Sequence, residues 1–568
     1  MTVAGAVPLE FVDLVEVPFT VPGSRFVVQR GTGPHAGSLE VLHVRYEVPV
    51  AECLAVRLVP PGGGVAGAGP DAAQTAVRAM GGRLVADGLE IVVSGEELRV
   101  LTAAGSGWRA IGGPAPDVVP HRVPDSSRLV LTVTGATPAT ATDEAFRAGA
   151  DAVVADWLAL TPRVRPERAP MARQCWWVLG TNQIDLATPV RGAAARSAGP
   201  VRRAVVPSKR GYVALWQWDA YFIALGLRHT APALAAEQLD IALTPGPDGQ
   251  LPDVVHDTGV LASSADLPPA DRARLLAAGA PTTGGEVPLT KPPLAAWAAD
   301  RVLSTLPVDE RAGWLRRWFP TVLRSQDWWF AASDPDGDGL PAYLHPYSSG
   351  LDDSPVFDHA LPVTAPDLLA YLVVQDRILA GWCRELPDLC AHDHGLPARL
   401  LRRAARVRQG LTGLWDDDGR LFRPRAGTEP VPERTVVSLL GCFAGDATSE
   451  QLAGVLADVH DPARFGTPYP LPSVACDDTS FRREQMWRGP TWVNTGYLVA
   501  EGLERCGRPA AAAELRARIL AGVEAAGGPV EYLDPGTGRR CPTATTSFGW
   551  SAALYLDLAV REEAGGQR

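Results

Sequence analysis

No run of 18 apolar residues occurs anywhere in this chain of 568 residues, so it holds no membrane-spanning helix. It also lacks an excess of positive charge: 53 Lys and Arg stand against 64 Asp and Glu, a net charge of −11. A protein that coats nucleic acid needs the opposite balance, so no nucleic-acid partner is expected. The eight cysteines form no Cys-x-x-Cys pair, and residues 1–10 show neither the basic start nor the apolar stretch of an export signal. The expectation is reduced thiols in a cytoplasmic protein. His392 and His394 form a close pair at a spacing that fits no zinc pattern, so no metal is expected. A fixed-period repeat is missing too, which argues against a solenoid.

What is present points elsewhere. Hydrophobic residues make up 46 % of the chain, enough for a large core, and the length suggests two to four domains. Tryptophan is in excess, with 16 against 13 Phe and 10 Tyr, and only Trp108 falls in the first 150 residues. The aromatic weight therefore lies on one part of the chain.

That part also differs in texture. Up to about residue 140 the sequence reads as short β-branched strands at 25–30, 39–48, 54–59, 89–93, 97–101 and 128–133. Gly- and Pro-rich breaks, notably 60–70 and 112–120, separate them, a pattern of a sandwich. Gly31, Gly33 and Gly37 read as a turn, because no helix follows to make them a phosphate loop. Beyond 140 apolar residues recur at helical spacing over 143–160, 171–183, 217–227, 231–243, 289–305, 309–332, 366–386, 397–414, 449–460, 490–505, 509–525 and 547–559. These twelve segments show no alternation with strands, so a large all-α domain is expected.

Long loops between them concentrate Trp, Gly, Pro and acids, and such loops are where a helical scaffold places a site. The segment Leu215 to Phe222 sets Trp216 and Trp218 around Gln217, with Asp219 following. An indole face suits the apolar face of a sugar ring, and a carboxylate suits its hydroxyls; a helix start with core tryptophans is the other reading. Asp334, Asp336 and Asp338 hint at calcium, but position twelve of such a loop is His345 rather than Glu, which leaves a tight turn. In the run His345 to Pro355, small residues surround the adjacent acids Asp352 and Asp353. Burial of one of them lifts its pKa towards that of a general acid. Gln485 to Asn494 mixes Trp487, Arg488, Trp492 and Asn494 around a Gly489-Pro490 turn, and Glu531 sits in apolar surroundings just before a turn. Gly549-Trp550-Ser551 lacks the second glycine and the strand of a serine-hydrolase elbow. Two acids in separate segments, with tryptophan between them, meet the needs of glycosidic hydrolysis: one protonates the leaving oxygen and the other activates water.

Taken in order with Leu289-Thr-Lys-Pro-Pro-Leu294, these segments resemble family 63 of the glycoside hydrolases, with kinship to trehalases and to mannosylglycerate and glucosylglycerate hydrolases. The resemblance covers about residues 170–560. It implies a mainly α fold, an (α/α)6 toroid of the six-hairpin glycosidases, preceded by a β-sandwich-like domain. The division expected is 1–140 for the β-domain, 141–170 for a helical linker and 171–568 for the catalytic domain. The resemblance further implies an inverting α-glycosidase with Asp352 as general acid and Glu531 as general base. Trp216, Trp218, Asp219, Asp353, Trp487, Arg488, Gly489, Trp492, Asn494 and Trp550 are the implied substrate contacts, and no cofactor is needed. The substrate class is an α-glucoside or α-mannoside, either a small oligosaccharide or a glycosylglycerate. Other (α/α)6 sugar enzymes (a debranching glucosidase, a trehalase, a rhamnosidase or a phosphorylase) and a non-catalytic carbohydrate-binding protein are the alternatives. Two positions depart from the family pattern. Ser348 stands where many relatives have Glu, and Lys291 where many have Gln. Lys291 is either a cation for an anionic aglycone or a structural lysine.

Overall fold

The computed structural model describes residues 6–46, 48–61, 76–122, 127–186, 202–256, 259–261, 263, 267, 269–277, 282 and 285–566. It divides into two compact units, Met1–Leu186 with Arg203–Ala214, and Ala187–Arg202 with Leu215–Arg568.

The first unit is built on two antiparallel sheets. One has the order Phe26–Arg30, Leu39–His43, Leu54–Val59, Arg109–Gly112. The other runs Arg78–Met80, Arg83–Ala86, Leu89–Ser94, Glu97–Thr102, Arg128–Val133, Val118–Arg122. Strand periodicity sorts their side chains. Ile91 and Val93 join Phe26, Val28, Val41 and Leu58 in a core shared by both sheets, as in a sandwich. Val92 points the other way and packs on Phe146 and Ala150 of the helix Asp143–Ala159. Four of these strands (Arg78–Met80, Arg83–Ala86, Arg109–Gly112 and Val118–Arg122) were not apparent in the sequence. Val118–Arg122 carries Pro120 and pairs with one neighbour, an edge position where a missing N–H is tolerated. Parts of the 39–48 strand and of the 60–70 break, at residues 47 and 62–70, lie outside the described residues.

The second unit is a ring of helices. Six inner helices are buried round most of their circumference: Gln217–Leu227, Ala295–Leu303, Pro366–Glu385, Val437–Leu440 continued by Gly441–Ala444, Val493–Arg505 and Gly549–Gly566. Each packs on the next in chain order, and the last closes on the first. Behind five of them lies the helix that follows: Pro232–Ala242, Val308–Ala332, Leu396–Thr412, Ser449–His460 and Pro509–Ala525. These are amphipathic. Leu396–Thr412, for instance, buries Leu400, Ala404, Val407 and Leu411, a single stripe at helical spacing. This is the (α/α)6 architecture, reached with a different membership from that read in the sequence. The segments 143–160 and 171–183 correspond to Asp143–Ala159 and Ala169–Thr181, which belong to the first unit. The inner helix Val437–Ala444 was not foreseen. The first compact unit also extends beyond residue 170, running to Leu186 and resuming over Arg203–Ala214.

Because each inner helix is followed by one that returns, the inner helices run parallel, and their N-terminal ends share one pole of the ring. No described helix is long and apolar enough to cross a membrane.

Candidate active site

The sequence segments singled out above lie at the N-terminal ends of the inner helices, so the fold gathers them at that pole. Backbone pairing knits them together. Trp216 pairs with Val254, and the Gln217 N–H donates to the Asp253 carbonyl at 3.0 Å. The Gln217 side-chain oxygen accepts from the Lys291 N–H at 2.9 Å, and Ser348 Oγ accepts from the Thr290 N–H at 3.3 Å. Lys291 is buried at the centre of this lattice. Its ammonium donates to the Tyr347 carbonyl at 2.6 Å and lies 3.0 Å from Asp253 Oδ1 and 3.9 Å from Asp352 Oδ1.

Asp352 follows Gly350, whose φ of +73° ends the short helix Pro346–Ser349. A Cβ at Gly350 would overlap the Trp218 ring, so the glycine serves both the turn and the close approach of the indole. One third of the Asp352 side-chain surface (33 %) faces open space, yet Oδ1 is sealed and has no hydrogen-bond partner. Burial lifts this carboxyl to about 7; Lys291 pulls it down, while Asp253, Asp353 and Glu531 push it up further. Burial likewise raises Asp219 well above the usual range, against Lys291 and with Glu531 and Asp253. Asp253 is raised by burial and opposed by Lys291. The ammonium remains charged because Asp253, Asp352 and Asp219 outweigh its own burial. Asp219, Asp253 and Asp352 thus share one lysine, and burial favours the protonated form in all three.

Glu531 is buried, and its Oε2 accepts the Thr545 N–H at 2.9 Å, which orients the carboxyl. Asp353 plays another part. Its two oxygens accept the Trp487 N–H at 2.8 Å and Gln485 Nε2 at 3.1 Å, so it pins the loop before Val493–Arg505. At Gly489 a Cβ would overlap the Arg482 carbonyl, which explains the glycine there. Arg488 forms a two-pronged pair with Asp358 at 2.8 and 2.5 Å, so its guanidinium is already engaged.

The tryptophans form one cluster. Trp487 stacks on Trp492 with centroids 3.6 Å apart, and Trp550 meets Trp218 edge-on at 5.4 Å and Trp492 at 5.6 Å. Trp487 and Trp492 are each 1 % exposed, so they offer one another, rather than open space, their faces. Trp216 keeps a partly open surface. Asn494 is fully buried, and neither end of its amide has a partner among the described residues. The structure thus brings Asp219, Asp352, Asp353 and Glu531 to one pole with the cluster of Trp218, Trp487, Trp492 and Trp550, while Asp334 and Asp338 cap their own turn. It adds Asp253, which sequence reasoning missed, and it accounts for Lys291 as a buried, paired cation.

Comparison with known proteins agrees with the fold. Residues 212–551 match the family model described as the mannosylglycerate hydrolase MGH1-like glycoside hydrolase domain. A mannosylglycerate hydrolase from Thermus thermophilus is 30 % identical over 408 residues, 62 % of this chain and 95 % of that protein. A glucosylglycerate hydrolase from Mycolicibacterium hassiacum is 26 % identical over 417 residues, 61 % of this chain and 92 % of that protein. The crystal structure of a family 63 mannosylglycerate hydrolase from Thermus thermophilus, in complex with Tris, superposes with a TM-score of 0.56 at 25 % identity, over 68 % of this chain and 99 % of that one. The chain belongs to the MGH1-like glycoside hydrolases of family 63.

Proposed function

We propose that this glycoside hydrolase is an inverting α-glycosidase that cleaves an α-mannosyl or α-glucosyl glycerate, or a closely related small α-glycoside. Asp352 donates its proton to the glycosidic oxygen. Glu531 accepts a proton from a water on the opposite face of the ring, so that C–O cleavage and attack by water occur on opposite sides. Asp219 and Trp216 contact the sugar, while Asp353 and the Trp487–Trp492 stack hold the loop that shapes the pocket. The observation that carries this reading is the Asp352 carboxyl. Burial holds its pKa near neutrality, where a carboxylic acid still has a proton to give, and Glu531 is near enough to contribute to that shift. The Thr545 N–H supports Glu531 in the complementary role by fixing its orientation.

The test is incubation with mannosylglycerate, glucosylglycerate, trehalose, kojibiose and nigerose, following the first-formed anomer by proton NMR. A β-anomer is expected. An α-anomer refutes inversion, and no product across the panel refutes the substrate class. Asp352→Asn and Glu531→Gln should each lower turnover by at least ~100-fold, the scale of lost acid–base catalysis.

A further inference from the structure

Lys291 is one of only two lysines in the chain, the other being Lys209 in the first unit. Every other basic charge of the second unit, histidine aside, is carried by arginine. The position it fills is narrow. Three oxygens meet the ammonium from three segments: the Tyr347 carbonyl at 2.6 Å, Asp253 Oδ1 at 3.0 Å and Asp352 Oδ1 at 3.9 Å. A compact ammonium can serve all three, whereas a planar guanidinium must choose an edge. The Lys291 N–H is bonded to Gln217, so the backbone that aims the side chain is fixed as well. The unequal distances are informative. Lys291 is spent chiefly on Asp253, which is buried and 3.0 Å away, and at 3.9 Å it lies too far to close a hydrogen bond on Asp352. A full salt bridge to Asp352 would strip the acid of its proton; an absent cation would leave Asp219, Asp253 and Asp352 without their shared counter-charge.

We propose that Lys291, held back by Asp253, is a positioning residue that sets the charge state and the aim of Asp352 without touching substrate. The proposal rests on Asp352 being the general acid. The groups that face Asp352 are Lys291 and Asp253 from the segments before Ala295–Leu303 and at the strand Val254–His256, Glu531 from the loop before Gly549–Gly566, and Asp353 beside it; Asp219 from Gln217–Leu227 acts on Lys291. Asp253 therefore works twice, as a negative charge near the acid and as the partner that occupies the lysine.

The two partners predict opposite shifts, which separates an electrostatic role from a packing role. In pH–rate profiles the alkaline limb reports loss of the proton from the acid. Lys291→Met should move that limb upward by about one pH unit or more, the usual influence of an opposite charge at this range. Asp253→Asn should move it downward, because a negative charge is lost and the ammonium is released towards Asp352. Lys291→Arg keeps the charge and should leave the limb near its wild-type place. Limbs that stay put, or that move the same way in Lys291→Met and Asp253→Asn, overturn the proposal, whatever happens to kcat or Tm. If Lys291→Met does not fold, Asp253→Asn and Lys291→Arg still carry different expectations, a downward shift against none, and an unmoved limb in Asp253→Asn overturns the proposal. The same shifts should appear in a carbon-13 NMR titration of the Asp352 carboxyl, assigned by its loss in Asp352→Asn, which needs no turnover. A wild-type protein that turns over none of the glycosides removes the functional reading but leaves this titration standing. Full loss of turnover in Asp352→Asn together with an unmoved titration in both variants removes the role of Lys291 alone.

Discussion

The two poles of the inner helix ring bury carboxylates among cations and reach opposite results. Towards the C-terminal pole, Glu501 is 2 % exposed and is bonded by Arg301, Arg516 and Arg561. Asp557 is buried against Arg228 at 2.8 Å, His229 at 2.9 Å and the Tyr497 hydroxyl at 2.7 Å. Burial pushes both carboxyls up, but the surrounding cations more than reverse it and leave both below their usual values. At the N-terminal pole Asp219 and Asp253 are nearly as deeply buried and Asp352 partly so, and the single ammonium of Lys291 cannot do the same for them, so all three are raised. Burial is common to both sets; the ratio of cations to carboxylates decides the sign.

The largest effect should come from breaking the paired pole. Asp557→Ala leaves Arg228 and His229 buried without their partner, and removal of one member of such a network costs about 3–5 kcal/mol. Chemical denaturation should show a loss of that size, with kcat per folded molecule retained. Equal loss of stability and of kcat would mean the poles are not independent. The second contrast is in pH. The folded pKa of Asp557 lies below its unfolded value, so its stabilisation is complete above about pH 4 and is lost as the pH falls below that. Asp352 has the reverse sign: its folded value is about 7 against 3.8, so stability declines as the pH rises between those values. Thermal unfolding across pH should therefore change in separate windows. Asp352→Asn should reduce the decline between pH 4 and 7, the remainder belonging to Asp219 and Asp253, and leave Tm at pH 8 equal or higher. Asp557→Ala should flatten the loss below pH 4. A lower Tm at pH 8 in Asp352→Asn would show that the acid is stabilising and not strained.

The contrast between poles was only half legible in the sequence. Asp352 and Glu531 stood out because each sits in a run of small or aromatic residues at a helix–loop junction, and motif order supplied the roles proposed for them. Asp253 did not, since Leu251-Pro-Asp-Val-Val255 carries no pattern of its own. The signal that existed was indirect: a lysine inside a site motif, in a chain with almost none, needs a buried carboxylate partner. Val437–Ala444 was invisible for a different reason. Its eight residues are apolar or small on every side, so no helical period shows, and such a run cannot be told from a buried strand. The strands Arg78–Met80 and Arg109–Gly112 are short and begin with exposed arginine, too little for alternation to register. The stacking of Trp487 on Trp492, five residues apart across an irregular turn, depends on the backbone path that Asp353 pins, which no spacing rule encodes.

The smallest effect sharpens where the paired pole ends. Glu504 bonds Arg516 and Arg561, the same arginines that hold Glu501, but its side chain is 43 % exposed against 2 % for Glu501. Solvent already screens it, and its loss leaves both arginines on Glu501. Glu504→Gln should therefore cost no more than ~1 kcal/mol, the range of exposed pairs, and the cost should shrink further as salt is added. Glu501→Gln in the same assay should cost several times more and should be nearly insensitive to salt, because its arginines would be left with the screened rim carboxylate. If the two substitutions cost the same, the network acts as one cooperative unit out to its rim. The double variant then gives the answer directly, through the departure of its stability from the sum of the single changes.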